Sequence, residues 1–301
     1  MKDDLIFTPA PKRRIDPWAY AFLAPALLLL ALFLFYPALW TIAASFGGEG
    51  QTLAGVPSAI SAYVFQLESK LFWRAILNTL YFAGFYVPGS LVLGYLIASL
   101  IRRKAGIRGH LRVLFFLPAV IPTVAAAAAW QWMYEPGTGA MNLLLQAMGL
   151  PGVDWLNEPY LVLPAVAITC IWQGAGIVAA IYMAALWAVP REYDEMADLD
   201  GARGWRRLIH VTLPSVKEAT FASVLLLIIS AHRIFAVILV MTGDGGPANW
   251  STNLPFLVYR QSLKGEFRFN SSAALSVMLC FTISIMAVLL RHRRIQGREL
   301  A

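Results

Sequence analysis

The side chains best suited to contact another molecule are concentrated in residues 190–214, which read PREYDEMADLDGARGWRRLIHVTLP. Acidic residues come first and basic residues follow: Glu192, Asp194, Glu195 and Asp198, then Arg203, Arg206 and Arg207. Acids are favoured in the first turn of a helix and bases in the last. The pattern predicts a short helix over 192–199, a turn at Gly201, which accepts a positive φ, and a second helix from 202 or 203 to about 209. Such an element is suited to docking in a groove on another protein; a solvated loop is the alternative interpretation.

Motifs for catalysis, metal binding or nucleotide binding are missing from the sequence. It has no G-x-x-x-x-G-K-[ST] phosphate loop, no H-E-x-x-H and no Cys/His spacing of a metal site. Cys170 and Cys280 lie in apolar stretches, which predicts packing residues rather than a disulfide framework. We therefore expect no enzymatic activity, no metal and no cofactor in this chain.

The elements that must position segment 190–214 are long and apolar. Hydrophobic residues make up 59% of the 301 residues and charged residues 14%, against roughly 25% charged in a soluble domain. Five stretches contain no Asp, Glu, Lys or Arg, and a sixth is interrupted only by Arg233: 17–48, 75–101, 113–134, 159–190, 269–290 and 219–243. About 20 apolar residues in a helix cross a bilayer, so the sequence predicts an all-α protein with six transmembrane helices. A soluble enzyme is excluded.

The positive charges predict the orientation in the membrane. Of the 24 Lys and Arg residues, 18 lie in the two tails and the second and fourth loops, against five in the other loops. These residues prefer cytoplasmic loops, so both termini and segment 190–214 are expected in the cytoplasm. Because the basic residues flank the spans, the net charge of +7 does not indicate nucleic-acid binding.

The predicted domain organisation is an amino-terminal tail over 1–16, a six-helix domain over 17–290 and a carboxy-terminal tail over 291–301. The predicted spans are about 18–46, 73–101, 112–134, 160–189, 219–241 and 270–290. In the third loop, residues 140–148 predict a short amphipathic helix on the outer surface.

Segment 190–214 resembles the signature loop of permease subunits of binding-protein-dependent ATP-binding cassette importers. That signature is E-A-A, three residues, G, nine residues and I-x-L-P. This chain has Glu195-Met196-Ala197, Gly201 and Val211-Thr212-Leu213-Pro214 at that spacing. The apolar character is kept by Met196 in place of alanine and Val211 in place of isoleucine.

Other stretches resemble the carbohydrate-uptake branch, in particular the first permease of maltose, glycerol-3-phosphate and multiple-sugar importers. They are Ala24-Pro25, Tyr36-Pro37, Asn78-Thr79-Leu80, Met141-Asn142-Leu143, Trp155-Leu156, the run from Phe235 to Thr242, Gly245-Gly246-Pro247, Tyr259 and Ala273-Ala274-Leu275-Ser276-Val277. Where that branch often has Asp after the phenylalanine, this chain has Ala236.

The resemblance implies a type I importer permease fold in a bacterial or archaeal cytoplasmic (inner) membrane. It implies a second, homologous permease, an ATPase dimer that binds ATP and Mg, a periplasmic or lipid-anchored solute-binding protein, and a sugar or sugar derivative as the solute. In that scheme Glu195 contacts the ATPase, Gly201 forms the elbow, and Ala197 and Leu199 bury in the ATPase groove. The signature also assigns Met196, Leu213 and Pro214 to this contact.

Arg233 is the one ionised residue expected within a span, next to His232. A charge at the centre of a transmembrane helix costs roughly 2.5–3.5 kcal/mol, so it must face a cavity or a partner. Arg233 either lines the translocation path, where it binds sugar hydroxyls or an anionic group, or it pairs with the second permease or snorkels to the outer face. Asn78, Gln173 and Ser230 are weaker candidates for the path, with helix-to-helix hydrogen bonds as the alternative.

Two other functions stay open at this stage. A permease for a non-sugar solute, such as a polyamine or phosphate, would also carry the signature loop. An ion-coupled secondary transporter usually has buried acids in its spans, and the six predicted spans contain no Asp or Glu.

Overall fold

The apolar stretches form helices in a computed structural model, which describes residues 17–47, 58–103, 108–264 and 268–299. The α-helices are α1 (Pro17–Leu30), α2 (Tyr36–Ser45), α3 (Ser58–Glu68), α4 (Lys70–Arg103), α5 (Arg108–Val120), α6 (Thr123–Met133), α7 (Ala140–Ala147), α8 (Val162–Ala188), α9 (Arg191–Leu199), α10 (Trp205–Arg207), α11 (Leu213–Ser215), α12 (Lys217–Arg233), α13 (Ala236–Thr242), α14 (Leu254–Ser262) and α15 (Phe269–Glu299). Stretches of π-helix join α1 to α2 (Ala31–Phe35) and α10 to α11 (Leu208–Thr212). The predicted tail over 1–16 lies outside the described residues.

Four segments are long and apolar enough to cross a membrane: Tyr20–Ser45, Lys70–Arg102, Val162–Ala188 and Phe269–Val288. Two further bent pairs of helices pass the same test of length and composition when their members are taken together. Gly109–Val120 meets Thr123–Met133 at 98°, and Trp205–Ser215 meets Lys217–Arg233 at 74°. Counting each bent pair as one span gives six in the described part of the chain. The last helix continues to Glu299, beyond the predicted end of the sixth span at 290.

Helices α4 and α8 form the centre of the fold. Small residues let their backbones approach closely. A Cβ on Gly94 of α4 would lie 2.6 Å from Cγ1 of Val178 and 3.1 Å from the backbone nitrogen of Ala179, both on α8. Ala98 and Ile101 continue this face of α4 and are completely buried. Helices α5 and α12 pack against this central pair.

We expect Gly94→Leu to destabilise the protein by about 1–3 kcal/mol, the usual cost of inserting extra methylenes into a packed core. The matched control is Gly84→Leu on the same helix, where a Cβ would meet nothing within 4 Å. The measurement is the fraction of each variant that stays monodisperse in detergent after heating. Equal losses in the two variants would show that the close approach at Gly94 does not set the stability.

The first and last parts of the chain are joined by a buried polar cluster. The Nε2 group of Gln66, on α3, donates to Oε1 of Gln261, on α14, at 2.8 Å. It also donates to Oγ of Ser271, near the start of α15. All three side chains are buried, so each needs the others to satisfy its hydrogen-bonding groups. Helices α2 and α3 pack on α15 beside this cluster, which closes one wall of the protein.

Candidate functional site

A cavity of about 360 Å³ lies between α4, α8 and the points where the apolar stretches 113–134 and 219–243 break. Its size falls within the range of small-molecule sites, roughly 300–1,000 Å³. The side chains on its wall that carry hydrogen-bonding or thiol groups are Tyr86, Thr123, Cys170, Gln173, Ser230 and Arg233. The other described residues of the wall are apolar or glycine.

The first break separates α5 from α6 at Ile121 and Pro122. A residue before proline avoids the helical conformation, and Pro122 itself is extended, with φ −54° and ψ 133°. The Nε2 group of Gln173, on α8, donates to the freed carbonyl of Ile121 at 2.9 Å. The predicted third span over 112–134 is therefore two helices with a break at Ile121 and Pro122, and Gln173 satisfies the carbonyl that the break frees.

The second break follows α12, which ends at Arg233. Ile234 is extended, with ψ 121°, and the side-chain amide of Asn253 donates to its carbonyl. Phe235 packs against Tyr259 at a ring-centroid distance of 5.1 Å. The predicted span over 219–241 is thus two helices, α12 and α13, rather than one. Irregular backbone at membrane depth is tolerated where it lines a cavity or is buried in protein, and both breaks meet that condition.

Arg233, Gln173 and Ser230 share the cavity wall, as three of the predicted pathway candidates. Arg233 sits in the last turn of α12, where the helix dipole favours a cation. Arg233 is exposed and lines the cavity. No described residue forms an ion pair with it. The structure therefore leaves the positive charge of Arg233 available to whatever enters this space.

His232 and Asn78 lie elsewhere, contrary to the expectation that they line the same path. His232 is buried beside a separate apolar pocket of about 200 Å³, because consecutive residues on a helix point about 100° apart. The Nδ2 group of Asn78 donates to the backbone carbonyls of Asn249 and Thr252, at 3.0 and 2.8 Å. Asn78 thus ties α4 to the segment before α14.

The cavity is also lined by residues that were not among the predicted pathway candidates, including Cys170, for which the sequence predicted a packing role. Tyr86 stacks on Phe82 with ring centroids 5.2 Å apart and planes 18° apart, and both line the wall. Thr123 begins α6 directly after Pro122, and a proline at this position is a sequence signal for the start of a helix. Cys170 precedes Gln173 by three residues, so both lie on one face of α8; this spacing was also readable from the sequence.

Segment 190–214 has the predicted form of two helical elements with a turn between them. The first helix, α9, covers Arg191–Leu199, close to the predicted 192–199. Gly201 has φ +66°, as predicted. The N–H of Ala202 donates to the carbonyl of Ala197 at 2.9 Å, and the N–H of Gly201 donates to that of Asp198 at 3.2 Å. These two bonds form a Schellman turn.

The second helical element begins at Trp205, later than the predicted 202 or 203. Gly204 has φ 53° and ψ −117°, a backbone conformation essentially reserved for glycine, so the helix cannot start before it. The chain then stays helical to Ser215. The π-helical stretch Leu208–Thr212 follows α10, and α11 begins at Leu213. Nη1 of Arg207 lies 2.9 Å from Oδ1 of Asp198, which ties the two elements together.

The signature residues differ in their accessibility. Glu195 and Met196 are exposed, and Leu199 is 88% exposed. Ala197 is only 3% exposed within this chain. The expectation that Ala197 buries in a partner's groove is therefore corrected: it seats α9 against its own subunit, and the outward-facing residues are left for a partner. Leu213 is exposed, and Pro214 lies on a groove of about 700 Å³ between α9 and the start of α12.

Comparison with known proteins decides the family. Residues 90–299 match the family described as the binding-protein-dependent transport system inner membrane component. The chain belongs to this family. The permease is 29% identical over 276 residues to the sulfoquinovosyl glycerol transport system permease protein of Agrobacterium fabrum, covering 91% of this chain and 89% of that protein. It is 28% identical over 281 residues to the trehalose/maltose transport system permease protein of Thermococcus litoralis, covering 92% and 95%.

The fold of the permease also matches a solved structure. That structure is a bacterial alginate ABC transporter in complex with an alginate pentasaccharide-bound periplasmic protein, with a TM-score of 0.79 and 24% identity over 92% of this chain and 94% of that chain. The all-α, type I importer permease fold is thereby confirmed. Family membership makes the chain a multi-pass membrane transport subunit rather than an enzyme, which confirms that prediction as well.

Proposed function

We propose that this permease forms, with a second homologous permease, the membrane pathway of an ATP-driven importer for a sugar or sugar derivative. The observation that carries the proposal is the cavity at the two helix breaks, where polar side chains and backbone meet the aromatic ring of Tyr86. Sugars combine apolar ring faces with hydroxyl groups, so this mixture suits them. The named substrates of the relatives from Agrobacterium and Thermococcus are also sugars or sugar derivatives.

In this proposal the energy comes from a partner, since the sequence has no phosphate-binding loop. An ATPase dimer holds ATP and Mg and docks under segment 190–214. The exposed side chains of Tyr193, Met196, Leu199 and Trp205 offer the apolar contact, and Glu195 offers a negative charge. An extracytoplasmic binding protein delivers the solute. Both termini lie in the cytoplasm, and the complex sits in the cytoplasmic membrane of a bacterium or archaeon.

The test is purification of the tagged permease from its native host in a mild detergent, followed by mass spectrometry and reconstitution into liposomes. We expect an ATPase and a second six-span protein to co-purify, and sugar uptake to require both ATP and the binding protein. Solute movement by the chain alone without ATP would support the ion-coupled alternative. ATP-driven uptake of a polyamine or phosphate, without any sugar, would support the non-sugar importer.

A further inference from the structure

The charge on the described part of the cavity wall is positive only. Among the described residues of its wall, Arg233 is the only charged one, and none of them is an Asp or Glu. The remaining polar groups there are uncharged: the hydroxyls of Tyr86, Thr123 and Ser230, the amide of Gln173 and the thiol of Cys170. A purely neutral sugar needs donors and acceptors but no net charge in its site. A lone arginine is therefore more than a neutral solute requires.

The position of the arginine adds to its effect. A cation placed between membrane helices is costly unless an anion or water compensates it. The described acidic residue on α12, Glu218, is in the first turn of that helix, at the end opposite Arg233. The negative, carboxy-terminal end of the α12 dipole stabilises the guanidinium of Arg233 in part. The uncapped start of α6, at Thr123, faces the same space and adds positive potential.

We propose that the solute of this permease is an anionic sugar, one that carries a carboxylate, sulfonate or phosphate group, and that Arg233 pairs with that group during passage. This inference rests on the proposed sugar importer. Guanidinium forms strong, often bidentate hydrogen bonds with such oxyanions. Phe82 and Tyr86 contribute an aromatic part of the wall for the sugar ring. Oε1 of Gln173 and Oγ of Ser230 accept hydrogen bonds from sugar hydroxyls, since their donors are already bonded within the chain. A neutral sugar would leave the arginine unpaired.

The test uses the whole reconstituted complex with its binding protein and two mixtures of small sugars. The acidic mixture holds glucuronate, oligogalacturonates of two to five residues, sulfoquinovose and glucose 6-phosphate. The neutral mixture holds glucose, galactose, maltose and the methyl esters of the same oligogalacturonates. ATP-dependent uptake is followed by mass spectrometry. We expect uptake from the acidic mixture, and methyl esterification to abolish it.

Variants assign the selectivity to the cavity. Arg233→Gln is expected to lower acidic-sugar uptake by about tenfold or more, the effect of losing a hydrogen bond to a charged group, and Arg233→Lys to restore part of it. Arg74→Gln is the control for loss of one positive charge. Arg74 packs over the ring of Trp250, with its Cζ 4.8 Å from the ring centroid, and does not line the cavity. The preference of the Arg74→Gln variant for acidic over neutral sugars should equal that of the wild type.

The outcomes separate the two proposals. Wild-type uptake from the neutral mixture alone would overturn the anionic inference and leave the sugar importer standing. No uptake from either mixture by an assembled, ATP-hydrolysing complex would count against the sugar importer itself. Unchanged acidic-sugar uptake in Arg233→Gln would overturn the role of Arg233. If Arg233→Gln fails to assemble with the second permease, the wild-type selectivity and the Arg233→Lys variant decide the matter.

Discussion

Gly201→Val is expected to release the ATPase from this permease and to lower ATP-driven uptake by about tenfold or more. Gly201 is the left-handed residue of the Schellman turn after α9, with φ +66°. A Cβ there would meet nothing within 4 Å, so the cost of the substitution lies in the backbone alone. A β-branched residue is a true outlier at positive φ, and such strain costs roughly 1–3 kcal/mol. Since about 1.4 kcal/mol corresponds to a factor of ten, most molecules would lose the turn.

Two controls separate this turn from general destabilisation. Gly201→Asn should keep most of the activity, because asparagine tolerates the left-handed conformation. Gly149→Val places the same residue in the same kind of turn after α7, where φ is +76° and a Cβ also meets nothing within 4 Å. The measurements are ATPase recovered with the tagged permease and uptake in liposomes. Full recovery of the ATPase with Gly201→Val would contradict the docking role of segment 190–214.

Asn142→Ala is expected to destabilise the segment between α6 and α8. The side chain of Asn142 is completely buried and makes four hydrogen bonds. Its Nδ2 donates to the carbonyls of Glu135 and Val153, at 3.2 and 2.9 Å. Its Oδ1 accepts from the N–H of Val153 at 2.9 Å and from Nε1 of Trp155 at 3.2 Å. The partner groups are only partly buried, so each lost bond costs its net worth of about 0.5–1.5 kcal/mol. Local unfolding should therefore become easier by about 2 kcal/mol or more.

Hydrogen exchange of the amides in residues 135–156 measures this change. The matched control is Gln146→Ala, one turn further along α7, where the side chain is exposed. Asn142→Asp should give an intermediate result, because the carboxylate keeps the two acceptor bonds and loses both donors. Exchange in Asn142→Ala no faster than in Gln146→Ala would show that the four bonds do not hold the segment.

Local features of the sequence were enough for much of the architecture. Uncharged stretches of about 20 residues or more predict membrane helices. The structure has four helices that meet this condition alone, and six spans if each of the two bent pairs counts as one. The turn at Gly201 followed from residue type, because few other residues adopt a positive φ. The helix α7 followed from apolar spacing between glycine turns, and it covers Ala140–Ala147, within the predicted 140–148.

The two helix breaks show where local reasoning stops. The break at Pro122 had a signal, because the residue before a proline resists the helical conformation, but counting uncharged residues does not register it. The break after Arg233 has no proline or glycine beside it. It is held by the amide of Asn253, 19 residues further along the chain, and a contact of this kind is invisible to any local pattern.

The pathway candidates divide for the same reason. Residue type placed Arg233, Gln173 and Ser230 on a short list together with His232 and Asn78, because all are polar in apolar surroundings. Which side of a helix faces a cavity depends on where the neighbouring helices lie. Only the fold shows that the first three share a wall and that the side chain of Asn78 is used to hold a loop.

The cluster of Gln66, Gln261 and Ser271 joins parts of the chain that the ribosome makes at different times. Gln261 follows Gln66 by 195 residues, and translation adds about 5–20 residues per second, so the amide of Gln66 waits on the order of 10–40 s for its partner. Helix α2 waits longer, because α15, on which it packs, is the last helix synthesised. The first span therefore enters the bilayer before its neighbour within this chain exists. Lipid or the insertion machinery must accommodate it until translation ends, which makes the closing of this wall the last step of the subunit's biogenesis.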